Sequence, residues 1–247
     1  DGKIVKNRLR PFKDLNELPL EDKELFDLAK IIPIKNYQLE IVLGRGCVYQ
    51  CSYCINQSYL DKYKGLCTEA MSAKEYLRIK NVDTAINEIK NAVSKYPEIK
   101  KIAFVDDNFI MYDSFLEEFL EEYKKEINLP FICNVNPVSF NISKAKILKE
   151  AGCDNIRFGI ESGSERIKKD IMNRPVTNNN AINSFKIARE MGLISSSYNM
   201  IGLPTETMDE IFETIRLNAY LMPDIVKIMT FYPFKNTPLY NLCLKLD

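Results

Sequence analysis

Gly44-Arg45-Gly46-Cys47-Val48-Tyr49-Gln50-Cys51-Ser52-Tyr53-Cys54 places three thiols at i, i+4 and i+7, directly after the strand-like run Tyr37 to Leu43. At helical periodicity those positions share one face, which would make a stripe of small, buried, apolar thiols. The surroundings argue otherwise. Two glycines stand in the three residues before Cys47, and polar Gln50 and Ser52 fill the spaces between the cysteines. Three thiols in eight residues, on a loop that leaves a strand, read as a metal-ligating loop.

Outward from this loop, short β-rich runs alternate with longer amphipathic ones. The strand candidates are Gln38 to Leu43, Lys101 to Asp106, Phe131 to Val135, Asn155 to Ile160, Ser196 to Ile201 and Ile225 to Phe231. Several are nearly continuous apolar runs, the pattern of parallel strands covered on both faces. Between them lie helical stripes: Val82, Ile86, Ile89 and Val93; Phe115, Phe119 and Tyr123; Ile147 and Leu148; Ile182, Phe185 and Ala188; Ile211, Ile215 and Leu217. Glycine or proline follows at Pro97, Pro130, Gly152, Gly192 and Pro223, which suits helix stops. Repeated strand-helix units imply a parallel α/β sheet. Six units in about 195 residues fall short of the eight in a closed barrel of about 250 residues. The expected fold is therefore an open six-stranded (β/α)6 partial TIM barrel over residues 37–247, with a flat doubly wound sheet as the other arrangement. Residues 1–36, charged and broken by Pro11, Pro19 and Pro33, read as a lead-in or linker with a short helix near Leu25 to Lys30.

In either arrangement the loops after the carboxyl ends of the strands build the site. The second strand runs into Asp106-Asp107-Asn108, the third into Asn134-Val135-Asn136-Pro137, the fourth into Gly159-Ile160-Glu161-Ser162-Gly163-Ser164, and the fifth into Asn199-Met200-Ile201-Gly202-Leu203-Pro204. Each piece alone has a plainer reading. Asp106 and Asp107 could cap the helix beginning near Ser114, and the serine-glycine segments could be turns and helix starts. Their common place at successive strand ends, beside the cysteine loop, joins them into one mouth.

Composition narrows the chemistry. The 247 residues carry 34 basic and 34 acidic side chains, a formal net charge of zero, with no basic tail for nucleic acid or membrane. No apolar run approaches the roughly 20 residues that span a bilayer, and the charged N-terminus is no signal peptide. Seven cysteines, an odd number, do not form a secreted disulfide framework, and a reducing cytoplasm fits. Cys67, Cys133, Cys153 and Cys243 are scattered and read as small buried residues. Histidine is absent, which removes the commonest general base and every Ser-His or Cys-His pair.

A closed structural zinc site takes four Cys or His ligands. Here the nearest fourth thiol is Cys67, with no second Cys-x-x-Cys. Three thiolates suit an iron–sulfur cluster of four irons, in which one iron is left open to a cofactor or substrate. Cys47-x-x-x-Cys51-x-x-Cys54, with aromatic Tyr53 before the last cysteine, resembles the loop of the radical S-adenosylmethionine superfamily. That resemblance implies a [4Fe-4S] cluster on Cys47, Cys51 and Cys54. It also implies S-adenosylmethionine on the open iron, and reductive cleavage to a 5′-deoxyadenosyl radical that abstracts hydrogen from a small-molecule substrate. An external electron donor of flavodoxin or ferredoxin type is implied as well. By the same resemblance Tyr53 lies near adenine, and Asp106 and Asp107 stand where the methionine amine is contacted, with Asp-Asp-Asn in place of Gly-Gly-Glu. Glu161 and Ser162 match the polar end of the fourth strand that handles ribose or carboxylate. Met200 and Gly202 match the adenine region of the fifth strand, with Tyr198 where glycine is often seen, and Arg174 in Met172-Asn173-Arg174-Pro175 is a candidate carboxylate contact.

The segments Phe104 to Phe109, Gly159 to Ser164, Met172 to Thr177, Gly202 to Glu206 and Phe231 to Tyr240 together resemble the cobalamin-binding class of that superfamily, whose members mostly transfer methyl groups. A histidine-dependent cobalamin domain is not in this chain. If cobalamin is used, its domain belongs to a longer protein of which this is a piece. The alternatives are a relative without cobalamin, methylthiotransferase-like or coproporphyrinogen-oxidase-like, and a non-catalytic metal-binding module completed by Cys67.

Overall fold

A computed structural model describes residues 2, 4–67 and 73–246. Strands β1 (Gln38–Ile41), β2 (Gly44–Arg45), β3 (Arg78–Ile79), β4 (Lys101–Phe104), β5 (Phe131–Val135), β6 (Cys153–Glu161), β7 (Ile194–Ile201) and β8 (Ile225–Thr230) alternate with helices. The helices are α1 (Leu28–Ile34), α2 (Ile55–Leu66), α3 (Ala73–Tyr76), α4 (Val82–Lys95), α5 (Asp113–Glu126), α6 (Ile142–Glu150), α7 (Asn178–Glu190), α8 (Met208–Leu221) and α9 (Pro238–Leu246). Six strands form one sheet in the order β1-β4-β5-β6-β7-β8, every pair parallel, and β2 and β3 make a small antiparallel ribbon beside it. This is the open α/β half-barrel, a partial TIM barrel. All six expected strands form, within two residues of the expected bounds at most ends.

The helix starts are written in side chains. Asn81 accepts from the Thr84 amide at the head of α4, and Asn141 from the Lys144 amide at the head of α6. Thr177 with Asn180, and Thr207 with Glu210, close reciprocal capping boxes on α7 and α8. The apolar stripes then dock on the sheet. Phe104 of β4 lies against Phe109, Phe119, Tyr123 and Phe131, all with ring centroids under 6 Å from it. Phe158 of β6 packs on Phe140 and Phe185. Each such fully buried ring contributes about 1.5–3 kcal/mol of transfer free energy.

In the lead-in, residues 4–14 carry no helix, and the expected short helix forms as α1 after two single 3-10 turns. Asp14 and Asp22 cap single 3-10 turns, and α1 inserts Ile32, 1% exposed, into the main core. Phe12 packs on Tyr63 of α2 at 4.0 Å between centroids, the rings tilted by 31°. Three helices, α2, α3 and α9, stand outside the expected helical stripes. α2 is largely polar, with Leu60 its buried residue, and α9 follows the proline-rich run after β8. The consequence appears at the sheet's end. The amide of Leu239 in α9 donates to the Ser52 carbonyl, and Leu239 packs with Ile167, Met172 and Leu203, so the last helix braces the cysteine loop. β8 is left exposed at all six positions.

Candidate active site

The cysteine run is a loop, and the helical stripe is not realised. Helix α2 begins only at Ile55, with Cys54 as its N-cap. Gly46 adopts φ +94°, and a Cβ there would lie 2.7 Å from the Tyr76 carbonyl, so only glycine permits this entry into the loop. Besides α9, the segment Ile171 to Asn173 pins the loop. Met172 O accepts from the Ser52 amide at 2.8 Å, Ile171 O from the Ser52 hydroxyl, and Asn173 Nδ2 donates to Gln50 O at 2.9 Å. These groups follow a π-helical turn over Ile167–Ile171, a feature that often marks functional sites.

Cys47, Cys51 and Cys54 line one cavity of about 310 Å³ at the carboxyl ends of the strands. With them stand Tyr53, Asp106, Asp107, Glu161, Arg174 and Tyr198, all singled out in the sequence. The cavity also recruits Tyr49, Asn56, Asn134, Asn136 and Arg157. Strand period two explains the last of these: Arg157, Gly159 and Glu161 share one face of β6 while Ile156, Phe158 and Ile160 point into the core. Three singled-out residues lie elsewhere. Ser162 is fully buried beside Thr214 and accepts from the Ser164 amide; Met200 packs on the small cluster of Ile167, Met172 and Leu203; Gly202, at φ +78°, donates its amide to Glu206.

Arg174 is the hub. Its Nη1 donates to the Tyr53 hydroxyl at 3.0 Å and lies 3.7 Å from Cys51 Sγ, and its Nη2 donates to Gly159 O. Glu161 Oε1 is 3.8 Å from Nη2. A Cβ on Gly159 would come within 2.6 Å of Glu161 Oε1 and 2.8 Å of Arg174 Nη2, so glycine makes the space for this pair. Glu161 itself sits at φ +71°, a strained backbone for a non-glycine residue, and burial pushes its carboxyl up, with Arg174 opposing. Arg174 Nε is buried without a partner. Asp106 does not cap α5, whose N-cap is Tyr112. Its carboxylate accepts the Leu43 and Gly44 amides at 3.1 and 2.6 Å, tying β4 to the head of the cysteine loop. Burial raises it to about 6 against those hydrogen bonds. Asp107, by contrast, is exposed at the cavity rim.

The donor set fits an iron–sulfur cluster. All three cysteines are free thiols, and burial raises Cys47 to about 11 and Cys54 above the usual thiol value. Metal binding reverses that penalty by taking the thiolate directly. Cys67, at the end of α2, is not in the cavity lining. Among the described residues no three Cys, Asp or Glu side chains converge on a single ion, and a cluster whose thiolates bind separate irons asks for no such point.

Residues 41–217 match the Radical SAM superfamily, and the chain belongs to it. The chain is 25% identical over 252 residues to the uncharacterized methyltransferase PH0819 of Pyrococcus horikoshii, covering 99% of this chain and 50% of that protein. It is 22% identical over 202 residues to cytidylyl-2-hydroxyethylphosphonate methyltransferase of Streptomyces wedmorensis, covering 77% of this chain and 35% of that one. Among solved structures, the radical S-adenosylmethionine methyltransferase TsrM from Kitasatospora setae, with cobalamin and a [4Fe-4S] cluster bound, superposes with a TM-score of 0.69 at 16% identity, covering 95% of this chain and 40% of that one. The chain thus spans half the length, or less, of these relatives. Among the described residues no helix is long and apolar enough to cross a membrane.

Proposed function

We propose that this chain is the catalytic core of a radical S-adenosylmethionine methyltransferase, of the kind that works with cobalamin, acting on a small molecule. One observation carries the reading: three free thiols on a single braced loop face a cavity built at the strand ends of a half-barrel. Cys47, Cys51 and Cys54 would hold a [4Fe-4S] cluster. When bound, that cluster supplies the electron that cleaves S-adenosylmethionine, and the organic chemistry belongs to the cofactors.

The protein's own part is orientation. Arg174 fixes Tyr53 beside the loop and offers positive charge to a carboxylate, while Asp107 and Glu161 offer negative charge to an ammonium. Asp106 holds the loop head in place from behind. The relatives' names support methyl transfer, and cobalamin would be bound by residues beyond those of this chain. An external flavodoxin- or ferredoxin-type donor and a cytoplasmic setting complete the proposal.

The test is anaerobic reconstitution with iron and sulfide, then strong reductant and S-adenosylmethionine. About four irons per chain and release of methionine and 5′-deoxyadenosine are expected. Cys51→Ala should lose both, and Cys67→Ser neither. Uptake of one zinc with no cleavage would overturn the reading.

A further inference from the structure

The cavity has two walls of opposite electrical character. On the cysteine side stand Asp106, committed to two backbone amides, and Asp107. Arg174 and Glu161 close the boundary as an ion pair. Beyond them, on the β6–β8 side, Arg157 lines the cavity, and its guanidinium, among the described residues, makes neither a hydrogen bond nor an ion pair. A half-buried guanidinium with no protein acceptor lacks the compensation that such groups ordinarily find.

The register says what accompanies it. Asn134 of β5 and Ser196 of β7 flank Arg157, and Tyr198 of β7 pairs with Gly159 one step further up the same face. Lys227 of β8 is the register partner of Tyr198, so its side chain leaves the same face of the sheet, again with no acidic partner among the described residues. From strand spacings of about 4.8 Å and a rise of about 3.3 Å per residue, the Cα atoms of Arg157 and Lys227 lie roughly 12 Å apart. Two long cationic side chains at that separation can meet on one anionic group held between them. The Tyr198 hydroxyl and the Asn136 side-chain Nδ2, neither of which donates to the protein among the described residues, stand on the same cavity as neutral donors.

We propose that the substrate of this enzyme carries an oxyanion, a phosphate, phosphonate or carboxylate, and that Arg157 is its specificity-determining contact, with Lys227 drawing it in at the mouth. Arg157 is suited to grip such a group through two parallel N–H bonds. The inference deepens the proposed function and rests on it, since the anion would be held away from the cysteine loop, where the cosubstrate belongs. S-adenosylmethionine also has a carboxylate, and the alternative assignment of Arg157 to it is decided by the same experiment.

Inorganic pyrophosphate serves as the probe. Its binding to the reconstituted protein saturated with S-adenosylmethionine is followed by 31P NMR line broadening, and cosubstrate affinity is measured in parallel by equilibrium dialysis. Arg157→Met should weaken pyrophosphate by about tenfold or more, the loss of one charge-assisted contact. Its effect on cosubstrate affinity should be far smaller, whereas Arg174→Met should show the reverse order. Arg157→Lys should recover part of the pyrophosphate affinity, and Lys227→Ala should weaken it by about threefold, as one outer charge does. Melting curves confirm that each variant is folded. Pyrophosphate that binds wild type and Arg157→Met equally, or not at all, overturns the proposal, as does an Arg157→Met protein whose chief loss is of S-adenosylmethionine. Failure to hold iron or to cleave the cosubstrate would sink the proposed function instead, while the pyrophosphate readout on the folded protein stands apart from it.

Discussion

Two arginines flank the π-helical turn, each beside a glutamate, and they are built in opposite ways. Arg166 meets Glu210 by two hydrogen bonds of 2.7 Å each, and Glu210 is further saturated by Ser164 and the Thr207 amide. Arg166 holds that carboxyl down, to about 2. Arg174 stands 3.8 Å from Glu161, divides its donors among Tyr53, Gly159 and the Cys51 sulfur, and leaves Nε unpartnered. Burial raises Glu161, the reverse of Glu210. The first pair is finished: it locks the turn after β6 to the head of α8. The second is unfinished, and an unfinished buried pair on a cavity is the arrangement that a ligand completes. The difference teaches where in this fold polar groups serve architecture and where they are kept for chemistry.

The largest break in this comparison comes from Arg174→Met. Arg174 is 8% and Glu161 15% exposed, so removing the guanidinium strands a buried carboxylate and should lower unfolding free energy by about 3–5 kcal/mol in anaerobic urea titrations. Arg174→Lys should not restore it, because one ammonium cannot reach Tyr53, Gly159 and Cys51 from one side.

A second break is in pH, where the two regions have opposite sign. Asp106, raised from 3.8 to about 6, binds protons in the folded state that the unfolded chain releases, so its contribution falls as pH rises from about 4 to about 6. Glu210, lowered from 4.5 to about 2, contributes fully above 4.5 and loses its contribution as pH falls toward 2. The Asp106 limb is worth about 3 kcal/mol, and the Glu210 limb, whose Arg166 partner is exposed and screened, about 1 kcal/mol. Unfolding free energy against pH should lose its upper limb in Asp106→Asn and its lower limb in Glu210→Gln; both limbs persisting in either variant would refute the assignment. The smallest effect is expected of Arg166→Met. Its guanidinium is 44% exposed and screened, so the loss should stay within about 1 kcal/mol.

The sequence carried the sheet and half of the site. Strands such as Lys101 to Phe104 and Phe131 to Val135 were legible because parallel strands buried on both faces are nearly continuous apolar runs, whereas Ser196 to Ile201, half polar with Ser196, Ser197 and Asn199, was placed by its position between two helical stripes. α2 was not legible, since it is largely polar and covers a loop rather than the sheet, and α9, which sets Leu239, Leu242 and Leu246 at helical spacing, is a short stripe of nine residues that packs on the turn beside the cysteine loop instead of on the sheet. Within the site, adjacency misled. Ser162 follows Glu161 in sequence, but β6 ends at Glu161, whose backbone at φ +71° turns the chain so that Ser162 is buried beside Thr214. Strand alternation, read backwards from Glu161 through Gly159, would have found Arg157. No sequence signal marks the π-helical turn or the bond from Leu239 to Ser52, which depend on contacts between segments far apart in the chain.

The central claim is that three cysteines leave one iron open to the cosubstrate. Electron paramagnetic resonance of the reduced, reconstituted protein, before and after adding S-adenosylmethionine, tests it most directly. The account predicts a [4Fe-4S] signal whose g-values shift on addition and that is absent in Cys51→Ala. A spectrum indifferent to S-adenosylmethionine would contradict it.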